Sequence, residues 1–140
     1  MLEPIVIKLG FLPPPILRGN ARYGHWGPKA KAAKAMKASG RDHGMIVLNG
    51  LSILNQDQPI PLDRATIQYH FRHWRNIDLD NLHIGLKHFV DGLVISGLLV
   101  DDSPDHLTFD APTFEKVKKG EEGVTITLHP KIAVRANQGP

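Results

Sequence analysis

Apolar and polar positions change period several times along the 140-residue chain, and each change marks an element. Over Glu3–Gly10 the apolar Ile5, Ile7 and Leu9 alternate with Val6 and Lys8, a period of two that predicts a strand ended by Gly10. Pro13, Pro14 and Pro15 then force an extended stretch, and Gly19, Asn20, Gly24 and Gly27 supply turns, so a long ordered loop or arm follows. From Lys29 an Ala/Lys-rich run has high helix propensity, with Pro28 suited to the first helical position. Lys34, Lys37 and Arg41 share one narrow face of it, opposite Ala32, Ala35 and Met36. Met45, Ile46, Leu48, Leu51 and Leu54 read as further helix or as a buried strand. The favoured reading is one long helix interrupted near Gly40 to Gly44, where glycine weakens it.

Gln56–Leu62 is a Pro-punctuated connection. From Arg64 to Trp74 the alternation returns, Ala65, Ile67, Tyr69 and Phe71 against Thr66, Gln68, His70 and Arg72, which is a half-buried strand. It runs into Asp78-Leu79-Asp80-Asn81, after which Leu82, Leu86, Phe89, Val90, Leu93 and Val94 recur at helical spacing until Gly97 supplies a cap. Leu98 to Val100 leads to the turn Asp101-Asp102-Ser103-Pro104. His106–Val117 and Gly123–His129 then read as two strands joined by a turn over Lys118–Glu122, a closing hairpin. The order is strand, helix, strand, helix, strand, strand. Residues 1–130 form one domain and 131–140 a frayed tail.

Composition narrows the chemistry. The chain has no cysteine, which removes disulfides, thiolate zinc sites and cysteine nucleophiles, so catalysis must come from carboxylates, histidines, hydroxyls or a bound hard metal. No apolar run approaches the roughly 20 residues that span a bilayer, and the start has no signal-peptide pattern, so a cytoplasmic protein without membrane partners is expected. Charge is divided unevenly: residues 1–77 carry 11 Lys/Arg against 4 Asp/Glu, a net +7, and residues 78–140 carry 6 against 10, a net −4. A basic half of this kind suits a polyanion, nucleic acid above all. Arg18, Arg22, His25 and Trp26 of the arm, Lys34 and Lys37 of the helix, Arg72 of the second strand and Arg75 just after it are the candidate DNA contacts.

The acidic half holds the candidate chemistry. Asp78 and Asp80, two apart in extended backbone, project to one side. Asp101 and Asp102 return at the far end of the following helix, and a strand paired beside the earlier one would bring them back. Carboxylates meeting with no thiol nearby form a hard-oxygen site suited to magnesium or manganese, which can position a water nucleophile and stabilise a leaving oxygen. The plainer readings are that Asp80 caps the helix and that Asp101–Pro104 is only turn chemistry. An EF-hand is excluded, because apolar Leu82 and Ile84 stand where oxygen ligands belong. The eight histidines show no zinc-ligand spacing.

The ordered set Asp78-x-Asp80-Asn81-Leu82, Leu86-Lys87, Asp91-Gly92-Leu93, Gly97 and Asp101-Asp102-Ser103-Pro104 resembles the RusA family of Holliday junction resolvases, its phage and prophage members in particular. The likeness extends upstream to Asn20-Ala21-Arg22 and His25-Trp26 after the proline-rich segment, and so covers most of the chain. The resemblance implies an α+β fold with a small mixed four-stranded sheet and two helices. It also implies a homodimeric, magnesium-dependent endodeoxyribonuclease, manganese substituting, that cuts four-way DNA in recombination and repair. Carried over by position, the metal-binding and catalytic aspartates are Asp78, Asp80 and Asp102, and the active-site lysine is Lys87. Lys87 lies two helical turns beyond Asp80, about 10 Å along an ideal helix, where the best-known form of the family has one turn. Asn81 and Asp101 are supporting residues that would orient a ligand carboxylate. The rival readings are a non-catalytic branched-DNA-binding module of the same fold, and a protein-interaction domain that uses the proline-rich arm.

Overall fold

The computed structural model describes residues 3–19, 26–53 and 60–131. Within them the elements are β1 (Ile5–Leu9), a single 3-10 turn (Pro15–Leu17), α1 (Trp26–Ile53), β2 (Arg64–His73), α2 (Leu79–Gly85), α3 (Lys87–Ser96), β3 (Leu107–Phe109), β4 (Thr113–Lys116) and β5 (Gly123–Lys131). The fold is α+β with a mixed sheet, as the resemblance implies. Its strands number five, ordered β1-β5-β2-β3, with β4 on β2 as well.

Alternation decides which face of the sheet is covered. Across β1, β5 and β2 the register sets Ile5 beside Leu128, Ile7 beside Ile126 and Leu9 beside Val124, with Ile67, Tyr69 and Phe71 continuing the same rows. All are buried, and they share one core with Met36 of α1, Leu82 of α2 and Phe89, Val90 and Leu93 of α3. The alternate residues, Lys8, Thr125, Thr127, Gln68, His70 and Arg72, form the opposite, polar face. An antiparallel core with helices on one side only produces this clean split.

β5 and the β3/β4 pair flank β2 on its two edges. β5 is antiparallel to β2, and β3 and β4 are parallel to it. The expected closing hairpin is therefore absent: residues 118–122 carry the chain from one side of β2 to the other instead of folding one strand back on its neighbour. β3 and β4 fill one edge in two pieces, which is why four sheet positions hold five strands. Ile67 pairs with Phe109 but His70 pairs with Thr113, so the edge carries one extra residue around Asp110–Pro112. Proline cannot donate to the ladder there, and the bulge shifts the alternation so that both Phe109 and Phe114 stand on the core side, level with Ile67 and Phe71.

Two helical expectations are revised. α1 runs unbroken for 28 residues through Gly40 and Gly44, and starts at Trp26 with Pro28 as its third residue. The glycines serve a crossing, not a break. A Cβ on Gly40 would collide with the Phe89 carbonyl, one on Gly92 with the Lys37 carbonyl, and one on Gly44 with Ser96 Oγ. Helix propensity is sacrificed so that α1 and α3 can approach backbone to backbone. The second expected helix is divided at Leu86 into α2 and α3, where the Leu86 N–H donates to the His83 carbonyl at 3.1 Å in a tight 3-10 step. Gly85 lies there against Pro13. Gly97, at φ 91°, ends α3 in the left-handed conformation as expected. Lys131, expected to begin the tail, is the last residue of β5. Arg22, His25, the Trp26 side chain, most of the 56–62 connection and the rest of the expected 131–140 tail lie outside the described residues.

Candidate active site

The two aspartates at the start of the crossover do different jobs. Asp78 is the N-cap of α2, its Oδ1 accepting the Asp80 N–H at 3.0 Å. Capping thus falls to Asp78 rather than Asp80, because the chain is still extended at Asp78 (ψ 112°) and turns helical one residue later. Asp80 stands in the first turn, where a negative charge is favoured by the helix dipole. Next to it Asn81 is half-buried, and its backbone carbonyl accepts the Gly19 N–H at 3.2 Å. Asn81 therefore ties the end of the arm to α2.

Asp101 and Asp102 do return to the sheet. Leu99 forms an isolated parallel bridge with Leu62, and the Leu62 N–H and carbonyl bond Leu98 and Val100 at 2.8 and 3.1 Å. The acidic turn is thereby anchored just before β2 begins. Asp101 Oδ1 accepts the Asp102 N–H at 2.8 Å, and this bond, helped by the Ser103 side chain, holds the Asp101 carboxyl below its usual range. Asp102 is shifted the other way. Partial burial raises it first, and the Asp91 carboxyl within hydrogen-bonding reach raises it further, with Asp101 adding to the effect. Asp91 in turn has His88 Nδ1 3.8 Å from its Oδ2.

Asp102 lines a cavity of about 270 Å³ with Tyr69, His83, Ile84, Lys87, Val90 and Phe109. His83 stands edge-on to Phe109 at 4.6 Å between ring centroids and to Tyr69 at 5.3 Å. Burial among these rings lowers the His83 pKa, and the negative charge of Asp80 opposes the shift. Burial also pushes the Tyr69 phenol well above its ordinary value, so it remains protonated. The result is an apolar, aromatic hollow with a carboxyl, an ammonium and a neutral imidazole at its surface.

The expected residues are thus partly united. Lys87 and Asp102 share the cavity, and Asp80 reaches it through His83. Asp78, Asp80 and Asp102 do not form one ligand cluster: among the described residues no three His, Cys, Asp or Glu side chains are close enough together to hold a metal ion. The carboxylates of Asp91 and Asp102 still suit a hard divalent cation, which would relieve their mutual repulsion, with the His83 and His88 rings as the nitrogen groups nearby.

The cationic candidates fall in separate places. Lys34, Lys37 and Arg41 line a shallow groove with Ala38 and Ile95, between α1 and α3. Arg72 lies on the polar face of the sheet, its Nη1 donating to Thr125 Oγ1 at 2.7 Å. Arg18 donates from Nε to the Pro13 carbonyl at 2.9 Å, and Arg75 sits over Trp74. Asp91, His83 and Phe109 were not singled out as site residues from sequence. The signal for two of them is helical spacing, since His83, Lys87 and Asp91 recur every four residues on one side. Phe109 carries no such signal, because only the edge bulge determines where it faces. Compared with models of known protein families and with curated proteins, the sequence matches none.

Proposed function

We propose that the protein is a magnesium-dependent endonuclease that hydrolyses phosphodiesters in branched DNA, four-way junctions above all, and acts as a homodimer in recombination and repair. The observation that carries this reading is the Asp91–Asp102 pair beside the cavity that Lys87 lines. Two carboxylates held together raise each other's cost of ionisation, and a hard cation held by them would offset it. Magnesium is commonly held by one or two carboxylates, with water and substrate phosphate oxygens completing its shell, so this pair suffices as the protein's share. When bound, such a cation supplies a water nucleophile and stabilises the leaving oxygen.

The chain's own residues take the remaining roles. Lys87 offsets negative charge developing on the phosphate. Asp80 and Asp78 add acidic groups at the start of the same helical pair. Lys34, Lys37 and Arg41, with the positive first 77 residues, attract the backbone of the DNA. The likeness to the RusA family adds the four-way junction as substrate, and two copies related by a two-fold axis match the symmetry of such a junction.

One observation favours the non-catalytic branched-DNA-binding reading: Asp78 and Asp101 are both engaged with backbone N–H groups, as cap and turn residues. A cleavage assay separates the two. A synthetic four-way junction and a matched linear duplex are incubated with the native protein, Asp80→Asn and Asp102→Asn, in magnesium or in EDTA. Paired, magnesium-dependent nicks by the native protein alone are the expected result. Junction binding without cleavage at any magnesium or manganese concentration establishes the non-catalytic module. Indifference to the junction overturns both.

A further inference from the structure

The helices pack against one side of the sheet, and the other side is lined by the alternate residues of the same strands. Four cations stand on that side, Lys8 of β1, Arg64 and Arg72 of β2 and Lys131 of β5, against one carboxylate of the strands, Glu115 of β4. We propose that this face is a second DNA-binding surface, which holds duplex DNA by its phosphate backbone without reading its sequence. The inference goes beyond the nuclease reading and stands without it, since none of these residues belongs to the acidic site or to the groove between α1 and α3.

Strand alternation fixes where the cations point. Ala65, Ile67, Tyr69 and Phe71 of β2 are buried, so Arg64 and Arg72 face away from the core. Ile7 and Leu9 on β1 and Ile126 and Leu128 on β5 are buried in the same way, which turns Lys8 and Lys131 outward. Hydrogen bonds across the face agree with this. Lys131 Nζ reaches over β2 to donate to Thr108 Oγ1 at 3.4 Å, and Arg72 Nη1 donates to Thr125 Oγ1 at 2.7 Å. Lys8, Arg64 and Lys131 are exposed and Arg72 is half-buried.

Charge and spacing identify the ligand. Four cations against one carboxylate leave this face at +3, as much as the formal net charge of the whole chain. Glu115 stands on the edge strand with its Oε1 3.1 Å from His70 Nε2, and Asp63 at the rim has His106 Nδ1 at 3.3 Å. The cations form two groups. Arg64 and Lys131 are direct partners at one end of the β2–β5 ladder, and Lys8 and Arg72 flank Thr125 toward the other. Arg64 and Arg72 are eight residues apart on one strand, about 26 Å, a span that a single phosphate does not cover. A duplex backbone does, with one negative charge per roughly 1.7 Å of its axis. Thr108, Thr125 and Thr127 set hydroxyls between the two groups, and phosphate oxygens accept from such donors. The strands present no Phe, Tyr or Trp on this face, so unpaired bases have no ring to stack on, which favours duplex over single strand. Val6 is the one apolar residue that β1, β2 and β5 turn outward here, too little to enter a lipid surface. A second copy laid face to face would set cation against cation.

The test is the salt dependence of binding between the full chain, in EDTA, and a fluorescent linear duplex one to two helical turns long, followed by anisotropy. Lys8→Ala, Arg64→Ala and Lys131→Ala combined lower the salt slope by about 2–3, equally for duplexes of different sequence. Lys8→Arg, Arg64→Lys and Lys131→Arg combined, which keep the charges, retain it. The imidazole NMR signals of His70 and His129, both on this face, move when duplex is added to the native chain. No metal and no cleavage enter the measurement, so a chain that cuts no junction can still pass it and one that cuts can fail it. An unchanged salt slope in an alanine variant that is folded by circular dichroism overturns the proposal. So do His70 and His129 signals that stay still while duplex is bound, or single strands or anionic lipid vesicles that compete as well as duplex.

Discussion

Asp102 and Asp91 meet across the boundary between the acidic turn and α3, two carboxyls within hydrogen-bonding reach whose joint ionisation the fold resists. Residues eleven positions apart in sequence are joined because the chain leaves α3, bridges Leu99 to Leu62 and turns back at Ser103. Such a pair has a cost in stability that function can justify, and the cost is measurable.

The Asp102 carboxyl is raised above its ordinary 3.8 by burial and by Asp91. The folded state thus binds a proton more readily than the unfolded chain, and stability falls as pH rises from about 3.8 through the raised value. Asp102→Asn is expected to stabilise the protein slightly at pH 7, with the gain vanishing at acid pH. Urea unfolding of both chains at the two pH values measures it, and a less stable asparagine variant at pH 7 contradicts the repulsion.

His83 is displaced in the opposite direction. Burial favours its neutral ring and Asp80 opposes this, so Asp80→Asn lowers the His83 pKa further. The stability contributed by the neutral ring is present above 6.5 and is lost as pH falls through the depressed value. Imidazole proton shifts followed by NMR across pH in the native and Asp80→Asn chains report both effects. An unchanged His83 titration in the variant would mean that Asp80 does not face the ring.

The crossing of α1 and α3 should be intolerant of a single methyl group. Gly40→Ala and Gly92→Ala each push a Cβ into the opposing backbone and should cost about 1–3 kcal/mol, despite alanine's better helix propensity. At Gly44 the obstacle is the Ser96 side chain, which can rotate, and the cost is smaller. Chemical denaturation ranks the three. Gly50→Ala meets nothing within 4 Å and is the control, expected to stabilise if anything.

The groove between α1 and α3 should act through charge alone. Replacing Lys34, Lys37 and Arg41 together by alanine is expected to weaken binding to every DNA shape about equally and to reduce the salt slope by about 2–3. Electrophoretic titrations of junction and duplex over a range of salt test this. A loss confined to the junction would instead make the groove a reader of branched structure.

The strands β1, β2 and β5, the helical character of residues 29–53 and 79–96, and the Gly97 cap were legible because each follows from local periodicity or one residue's backbone preference. Alternation of Ile5, Ile7 and Leu9, or of Ile67, Tyr69 and Phe71, leaves no other way to bury the apolar side. Gly40 and Gly44 misled, since a glycine suited to a helix break and one suited to a close helix crossing are the same letter. Only the position of Gly92 opposite Gly40 distinguishes them.

In the candidate site the division runs the same way. The sequence by itself determined the kinds of group available: no thiol, acidic pairs at both ends of a crossover, a basic first half, and a motif order like that of the RusA family. Tertiary structure alone decided which of them meet. Strand order 1-5-2-3 is a property of non-local pairing, which local pattern does not encode, and it placed β4 and β5 on opposite edges of β2 where a hairpin was expected. The same topology joined Asp102 to Asp91, left Asp78 as a helix cap, and turned Phe109 toward His83 through one extra residue in an edge strand. A side chain's type is written in the chain, whereas its neighbours are set by how the whole core closes.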